Sequence, residues 1–172
     1  MSNIGNEPKH KGKLIQGVRS TLEHRAAWLY LLLDEAEKRG IDTEGFARAA
    51  ILRCGCFQGG QLVDRAGTRS LKGLKKTLFT LPARMVFEMK ILYCTDDRLE
   101  IDFHHCPLVA AWQSYGAADE RIEKLCDIAM QGDRGIAESF GCELELGETI
   151  AKGHGRCQIR FVRKKTSKGD GV

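Results

Sequence analysis

Phe103-His104-His105-Cys106-Pro107 places two imidazoles and a thiol side by side in the chain. A thiolate is a strong nucleophile, and an adjacent imidazole can lower the pKa of a thiol into a useful range. Pro107 suits the first turn of a helix, where the N–H that it lacks would be unpaired anyway. The pattern predicts a strand-to-helix junction that carries Cys106 and His105 as catalytic residues.

Two carboxylates and two further thiols follow this junction. Asp127 comes directly after Cys126, about 100° around a predicted helix and at the edge of its apolar stripe. Asp133 lies between two glycines at a predicted helix break, where it could cap the next helix or present its carboxylate to a pocket. Cys126 and Cys157 are predicted on apolar faces, where simple packing is the alternative to a role in a site.

Metal binding is a second interpretation of the same side chains. The possible ligands are His104, His105, Cys106, Asp127 and Asp133. Neighbouring residues of a strand face opposite ways, so the two histidines could share an ion only if the strand bends. By this parity His105 continues the apolar face, and His104 lies on the polar face beside Asp102. We expect no cofactor, with a metal as the alternative.

Composition limits the class of protein. The chain has 172 residues, of which 42% are hydrophobic, enough for one core. Its formal charge of +4 comes from the two ends of the chain. Between them there is no basic stripe interleaved with aromatic residues, which argues against nucleic-acid binding. We find no apolar leader and no run long enough to span a bilayer. The expectation is a cytoplasmic protein with reduced thiols, a small-molecule partner and no membrane partner; a homo-oligomer stays open.

Hydrophobic periodicity predicts the helices that come first. Ser20 and Glu23 form a capping box for a first helix that ends at Gly40. A second helix turns Phe46, Ala49, Ala50 and Cys54 inward and frays at the pair 59–60. Residues 1–17 are expected to form a flexible tail, 18–163 a single α+β domain and 164–172 a basic flexible tail.

From Arg84 the period changes to two, which predicts a hairpin through Phe103. Three helices follow, the last of them short and ending at Phe140, and a second hairpin runs from Cys142 to Val162. The predicted fold class is α+β: N-terminal helices followed by an antiparallel sheet of about four strands in two hairpins, with helices packed on one face. Cys54, Cys56, Cys94 and Cys142 are interpreted as packing residues.

A series of motifs in the second half resembles one known family. The motifs are Cys106-Pro107-Leu108, Ala111-Trp112, Leu125-Cys126-Asp127-Ile128, Gly132-Asp133-Arg134-Gly135, Leu144 to Ala151 with Gly153, and Cys157-x-Ile159-x-Phe161. In order and spacing they are similar to those of the bacterial L-2-amino-thiazoline-4-carboxylic acid hydrolases. The resemblance is strongest from about Ile101 to Val162.

The resemblance implies a hydrolase that acts on the carbon–nitrogen bonds of a small cyclic amidine, such as L-2-amino-thiazoline-4-carboxylate. The expected product is a carbamoyl derivative of L-cysteine, which places the reaction in cysteine biosynthesis. Asp127 or Asp133 would hold the amidine nitrogens. The nucleophile would be either the Cys106 thiolate or a water that His105 deprotonates.

We also predict a set of residues that bind the substrate. They are Cys126, Cys157, Trp112, Arg134 and His104. The substrate carboxylate would meet Arg134 or the helix start at Pro107, and Trp112 would wall the pocket or fill the core. The alternative function is a non-catalytic small-molecule or metal-binding module of the same fold.

Overall fold

The computed structural model describes residues 2–164, so the predicted basic tail lies, apart from Lys164, outside the described residues. The helices of this part are α1 (Lys13–Glu37), α2 (Glu44–Ala66), α3 (Leu71–Thr77), α4 (Leu81–Val86), α5 (Pro107–Ser114), α6 (Asp119–Ala129) and α7 (Gln131–Ser139), with a 3-10 turn at Ile150–Lys152. The strands are β1 (Met89–Cys94), β2 (Arg98–Phe103), β3 (Cys142–Leu146) and β4 (Cys157–Arg163). They form an antiparallel sheet in the order β1-β2-β4-β3. The predicted α+β fold with two hairpins is confirmed.

The first helix begins earlier than the capping box predicts. Helix α1 starts at Lys13, and Ser20 lies inside it. Ile15 and Arg19 are buried and extend the inner face of the helix toward its N-terminus. The Arg19 guanidinium donates to the Val86 carbonyl and pairs with Glu88, which anchors this first part of the helix. The predicted boundary between tail and domain therefore falls inside α1.

Helix α2 does not fray at its glycines. Gly55 and Gly59 are buried and face α7, where a Cβ on Gly55 would lie 2.8 Å from the Gly132 Cα. The two helix backbones approach so closely because glycine leaves room for them. The glycines are thus contact positions of a continuous helix.

The inward face of α2 is consequently the opposite of the predicted one. Phe46 is 51% exposed, and Ala49, Ala50 and Cys54 are exposed as well. The buried positions are Ala47, Gly55, Gly59 and Leu62. Hydrophobicity alone assigned the phenylalanine to the core, whereas the close contact with α7 selects the smaller residues. Cys54 is therefore not a packing residue.

The first predicted strand begins too early. Leu81–Val86 is helix α4, with Pro82 in its first turn, so Arg84 is helical. Glu88 adopts a positive φ of 51°, which separates this helix from β1. Its buried carboxylate accepts the N–H groups of Lys9 and His10, so the irregular backbone ties the N-terminal segment to the sheet.

The core fills the space between the sheet and the helices. Trp112 of α5 is fully buried, and its indole N–H donates to the Ala26 carbonyl at 3.0 Å. Phe161 of β4 packs on Phe79 in the same core, with ring centroids 6.0 Å apart. Within residues 2–164, none of the helices combines the length and the apolar character needed to cross a membrane.

Candidate active site

Cys106 lies at the predicted strand-to-helix junction. After β2 ends, the backbone N–H groups of His104 and His105 still donate to the carbonyls of Glu88 and Phe87. Cys106 is then extended and serves as the N-cap residue of α5, with Pro107 as the first helical residue. The structure thus fixes the thiol at the positive end of a helix.

Three thiols converge at this point. Cys157 on β4 stands opposite Phe103 at the end of β2, and its sulfur accepts the Ile150 N–H at 3.3 Å. Cys126 on α6 is close enough that the charges of Cys106 and Cys157 would both raise its pKa. Burial is the larger cause for Cys126, and it also raises the pKa of Cys157 to about 12. We call Cys106, Cys126 and Cys157 the thiol cluster.

Asp133 completes the thiol cluster from the first turn of α7. The helix break falls at Met130, so Asp133 is a helical residue and not the predicted cap. Burial raises its pKa to about 6, against the opposing charges of Arg25 and Arg134. Its charge in turn raises the pKa of Cys106. A carboxyl group that titrates near neutral pH is suited to exchange a proton with a nearby thiol.

Asp127 is held differently. It pairs with Arg48 at 2.7 Å and with Arg134 at 3.1 Å. Burial would raise the pKa of Asp127, but the hydrogen bonds from the two arginines outweigh it and keep the pKa below its usual value. Asp127 therefore holds Arg134, one of the two arginines whose charges lower the pKa of Asp133. Arg134, expected to meet a substrate carboxylate, is engaged in this pair.

His105 is buried, as strand parity predicts, yet it makes no hydrogen bond to Cys106. Its Nδ1 lies 2.8 Å from the Asn6 carbonyl oxygen, which requires the proton on Nδ1. Burial lowers the pKa of the imidazole, so the ring is neutral. Nε2 is buried and has no hydrogen-bond partner within residues 2–164.

The Cys106 thiol is consequently not activated by its neighbouring imidazole. Burial raises its pKa, and the N–H groups of Val109 and Leu108 in the first turn of α5 offset part of that shift. The thiol is neutral at rest, and the helix start favours the thiolate once a base removes the proton.

The remaining predicted residues lie outside the thiol cluster. His104 is half-buried and lines a groove with Lys9 and Arg84. Its expected pairing with Asp102 is wrong, since Asp102 pairs with Arg160 at 3.0 Å. Trp112 is a core residue by its complete burial.

Sequence reasoning missed Asn6, which supports Cys106 directly. The Asn6 side chain accepts the Cys106 N–H and donates to the Cys106 carbonyl, each at 2.8 Å. One amide thus satisfies both backbone groups of the residue that carries the thiol. Nothing local marks an asparagine in a Gly- and Lys-rich N-terminal segment for this role, because the contact spans 100 positions.

Across residues 2–164, no group of three or more His, Cys, Asp or Glu side chains is arranged to hold a metal ion. The thiol cluster with Asp133 is therefore not a metal centre in this arrangement. The need for a cofactor stays a prediction.

Comparison with known proteins supports the family resemblance. A family model described as L-2-amino-thiazoline-4-carboxylic acid hydrolase matches residues 19–161. No curated protein matches the sequence. A similar solved structure is that of a trafficking protein particle complex subunit 3 from Naegleria fowleri, covalently bound to palmitic acid. It shares 16% identity at a TM-score of 0.54, over 83% of this chain and 95% of that chain, which shows a common fold.

Proposed function

The chain belongs to the L-2-amino-thiazoline-4-carboxylic acid hydrolase family, and we propose that it opens a small cyclic amidine of this type at the thiol cluster. The product is the corresponding carbamoyl derivative of L-cysteine. The observation that carries the proposal is the position of the Cys106 thiol at a helix start, within electrostatic range of Asp133, whose pKa is about 6.

Cys106 acts as the nucleophile in the first half of the reaction. Its proton passes to the Asp133 carboxylate as its sulfur bonds to the amidine carbon. The ring carbon–sulfur bond then breaks, and Asp133 returns the proton to the departing ring sulfur. The result is an isothiourea that joins Cys106 to the opened substrate.

Water completes the reaction. It adds to the same carbon, and one of its protons moves to the amidine nitrogen. The other proton moves through Asp133 to the departing Cys106 sulfur as the Cys106–carbon bond breaks. Asp133 can serve both halves because a pKa near 6 lets it hold or release a proton at neutral pH.

Two features support substrate binding at this place. A protonated amidine next to Cys106 would favour the thiolate and so offset the effect of burial. Arg25 is exposed and close enough to affect the pKa of Asp133, and its guanidinium makes no hydrogen bond or ion pair with another residue in 2–164. We assign the substrate carboxylate to Arg25, with the amide groups at the start of α5 as additional donors.

The test is release of thiol from the thiazoline by the purified protein. Cys106→Ala should reduce the rate to background, whereas Cys54→Ala, at an exposed cysteine of α2, should retain the full rate. Equal rates for Cys106→Ala and the wild type would refute the assignment. No release by the wild type would refute the activity itself.

A non-catalytic binding module is the alternative. It is favoured by the raised pKa of all three clustered thiols, since neutral thiols suit a packed ligand pocket as well as a reaction. This alternative predicts saturable binding of the thiazoline with no thiol release, and a shared fold does not decide between the two functions.

A further inference from the structure

A cavity of about 310 Å³ lies beside Asn6 and His105, and none of the thiol cluster residues lines it. Its walls are the N-terminal segment, from Ile4 to Pro8, and helices α1 and α5. Gln113 of α5 donates to the Ile4 carbonyl at 2.9 Å and so closes one end. The volume suits a small molecule, at the lower end of the range for ligand sites.

His105 supplies an acceptor without a donor at this cavity. Its imidazole lines the cavity, and the side chain is only 2% exposed. Because the Nδ1 proton is used on the Asn6 carbonyl, Nε2 carries a lone pair, and this atom has no partner within residues 2–164. A buried acceptor left unpaired costs about 1–3 kcal/mol. A ligand with an N–H group would remove that cost.

The charged groups around the cavity favour a cation. Glu7 and Glu23 line it, and neither forms an ion pair with another residue in the described part of the chain. Arg19 also lines it, but its guanidinium already donates to Val86, His10 and Glu88. The positive charge of Arg19 is thus balanced by Glu88, and the cavity keeps two uncompensated carboxylates.

The cation must bring its own hydrogen-bond donors. The three groups at this cavity, His105 with the two glutamates, are not arranged to hold a metal ion, as is true of every such group in residues 2–164. We propose that the cavity binds a small organic cation, a primary ammonium or an amidinium group, that donates to His105 Nε2 and pairs with Glu23 and Glu7. Nε2 is shielded from solvent, so a donor can reach it only if the wall of the cavity shifts locally.

The test uses acetamidinium and propylammonium as probes and acetate as the matched anion, titrated calorimetrically into the full chain. Both cations should bind saturably and acetate should not. Glu23→Gln should weaken cation binding about tenfold, the effect of removing one charge-assisted hydrogen bond. Glu35→Gln, an exposed position of the same helix outside the cavity, should leave it unchanged.

A spectroscopic measurement separates this site from the thiol cluster. The ¹⁵N resonance of His105 Nε2 should move toward that of a hydrogen-bonded nitrogen when acetamidinium is added, in the wild type and in Cys106→Ala alike. An unmoved resonance, equal binding of acetate, or loss of cation binding in Cys106→Ala would overturn the proposal. None of these results depends on release of thiol from the thiazoline, so each proposal can fail separately.

Discussion

Replacing Gly55 with alanine tests how α2 and α7 hold Asp133 in place. The added Cβ would overlap the carbonyl oxygen of Gly132 and lie 2.8 Å from the Gly132 Cα, and these nearest atoms are backbone. Backbone cannot rotate away as a side chain does, so α7 must shift by roughly 1 Å to restore ordinary contact. Gly132 immediately precedes Asp133, so the shift would reach the thiol cluster.

The magnitude follows from two opposing effects. Overpacking typically costs about 1–3 kcal/mol, whereas alanine gains up to about 1 kcal/mol over glycine in a helix interior. Gly60 offers the matched control, because it lies in the same helix and a Cβ there meets nothing within 4 Å. We expect Gly60→Ala to be more stable than the wild type and Gly55→Ala to be less stable. The difference between them should be about 1–3 kcal/mol, the overpacking cost alone, because both variants gain the same helix propensity.

Urea-induced unfolding, followed by circular dichroism, measures this difference for variants with equal m-values. Gly55→Ala should also release thiol from the thiazoline more slowly than Gly60→Ala. If the two variants have the same free energy of unfolding, the close approach of α2 and α7 is not what positions Asp133, and the reasoning fails.

Three further predictions concern the site. Asp133→Asn should abolish thiol release yet raise the free energy of unfolding at pH 7 by about 2–3 kcal/mol. The reason is that the folded-state pKa of about 6 exceeds the ordinary 3.8, so the stability of the wild type falls as the pH rises from 3.8 to about 6. Urea unfolding at several pH values measures this dependence. Asn6→Ala should lower the free energy of unfolding by about 1–3 kcal/mol and slow thiol release, because Cys106 loses both hydrogen bonds to the Asn6 amide. Asn3→Ala, at an exposed neighbouring position, should do neither. Cys54 should react with a maleimide at neutral pH faster than Cys106, whose thiol is shielded and neutral; peptide mapping would contradict this if Cys106 reacted first.

The elements near the thiol cluster were predictable because their patterns are local. Alternation identified β2 and β4, and Pro107 marked the start of α5 correctly. Strand parity correctly placed His105 inside. These signals depend only on residues close together in the sequence, because hydrophobic periodicity and helix capping act over a few residues.

The errors arise where distant backbone contacts decide. The glycines of α2 resemble a helix terminus in sequence, but α7 packs against Gly55 and Gly59 and keeps the helix continuous. His105 does not activate Cys106 as expected, because its Nδ1–H donates to the carbonyl oxygen of Asn6, a residue remote in sequence. Such contacts leave no periodic trace in the chain, so only the structure reveals them.

Attack of Cys106 on the amidine carbon is most directly tested by mass spectrometry of the wild-type protein quenched in acid during turnover of the thiazoline. The tryptic peptide Leu99–Arg121 contains Cys106 and no other cysteine, so an adduct on it can be assigned without ambiguity. We expect an isothiourea adduct on this peptide that disappears as substrate is exhausted. An adduct on Cys126 or Cys157 instead, or thiol release with Leu99–Arg121 unmodified throughout, would contradict the central claim.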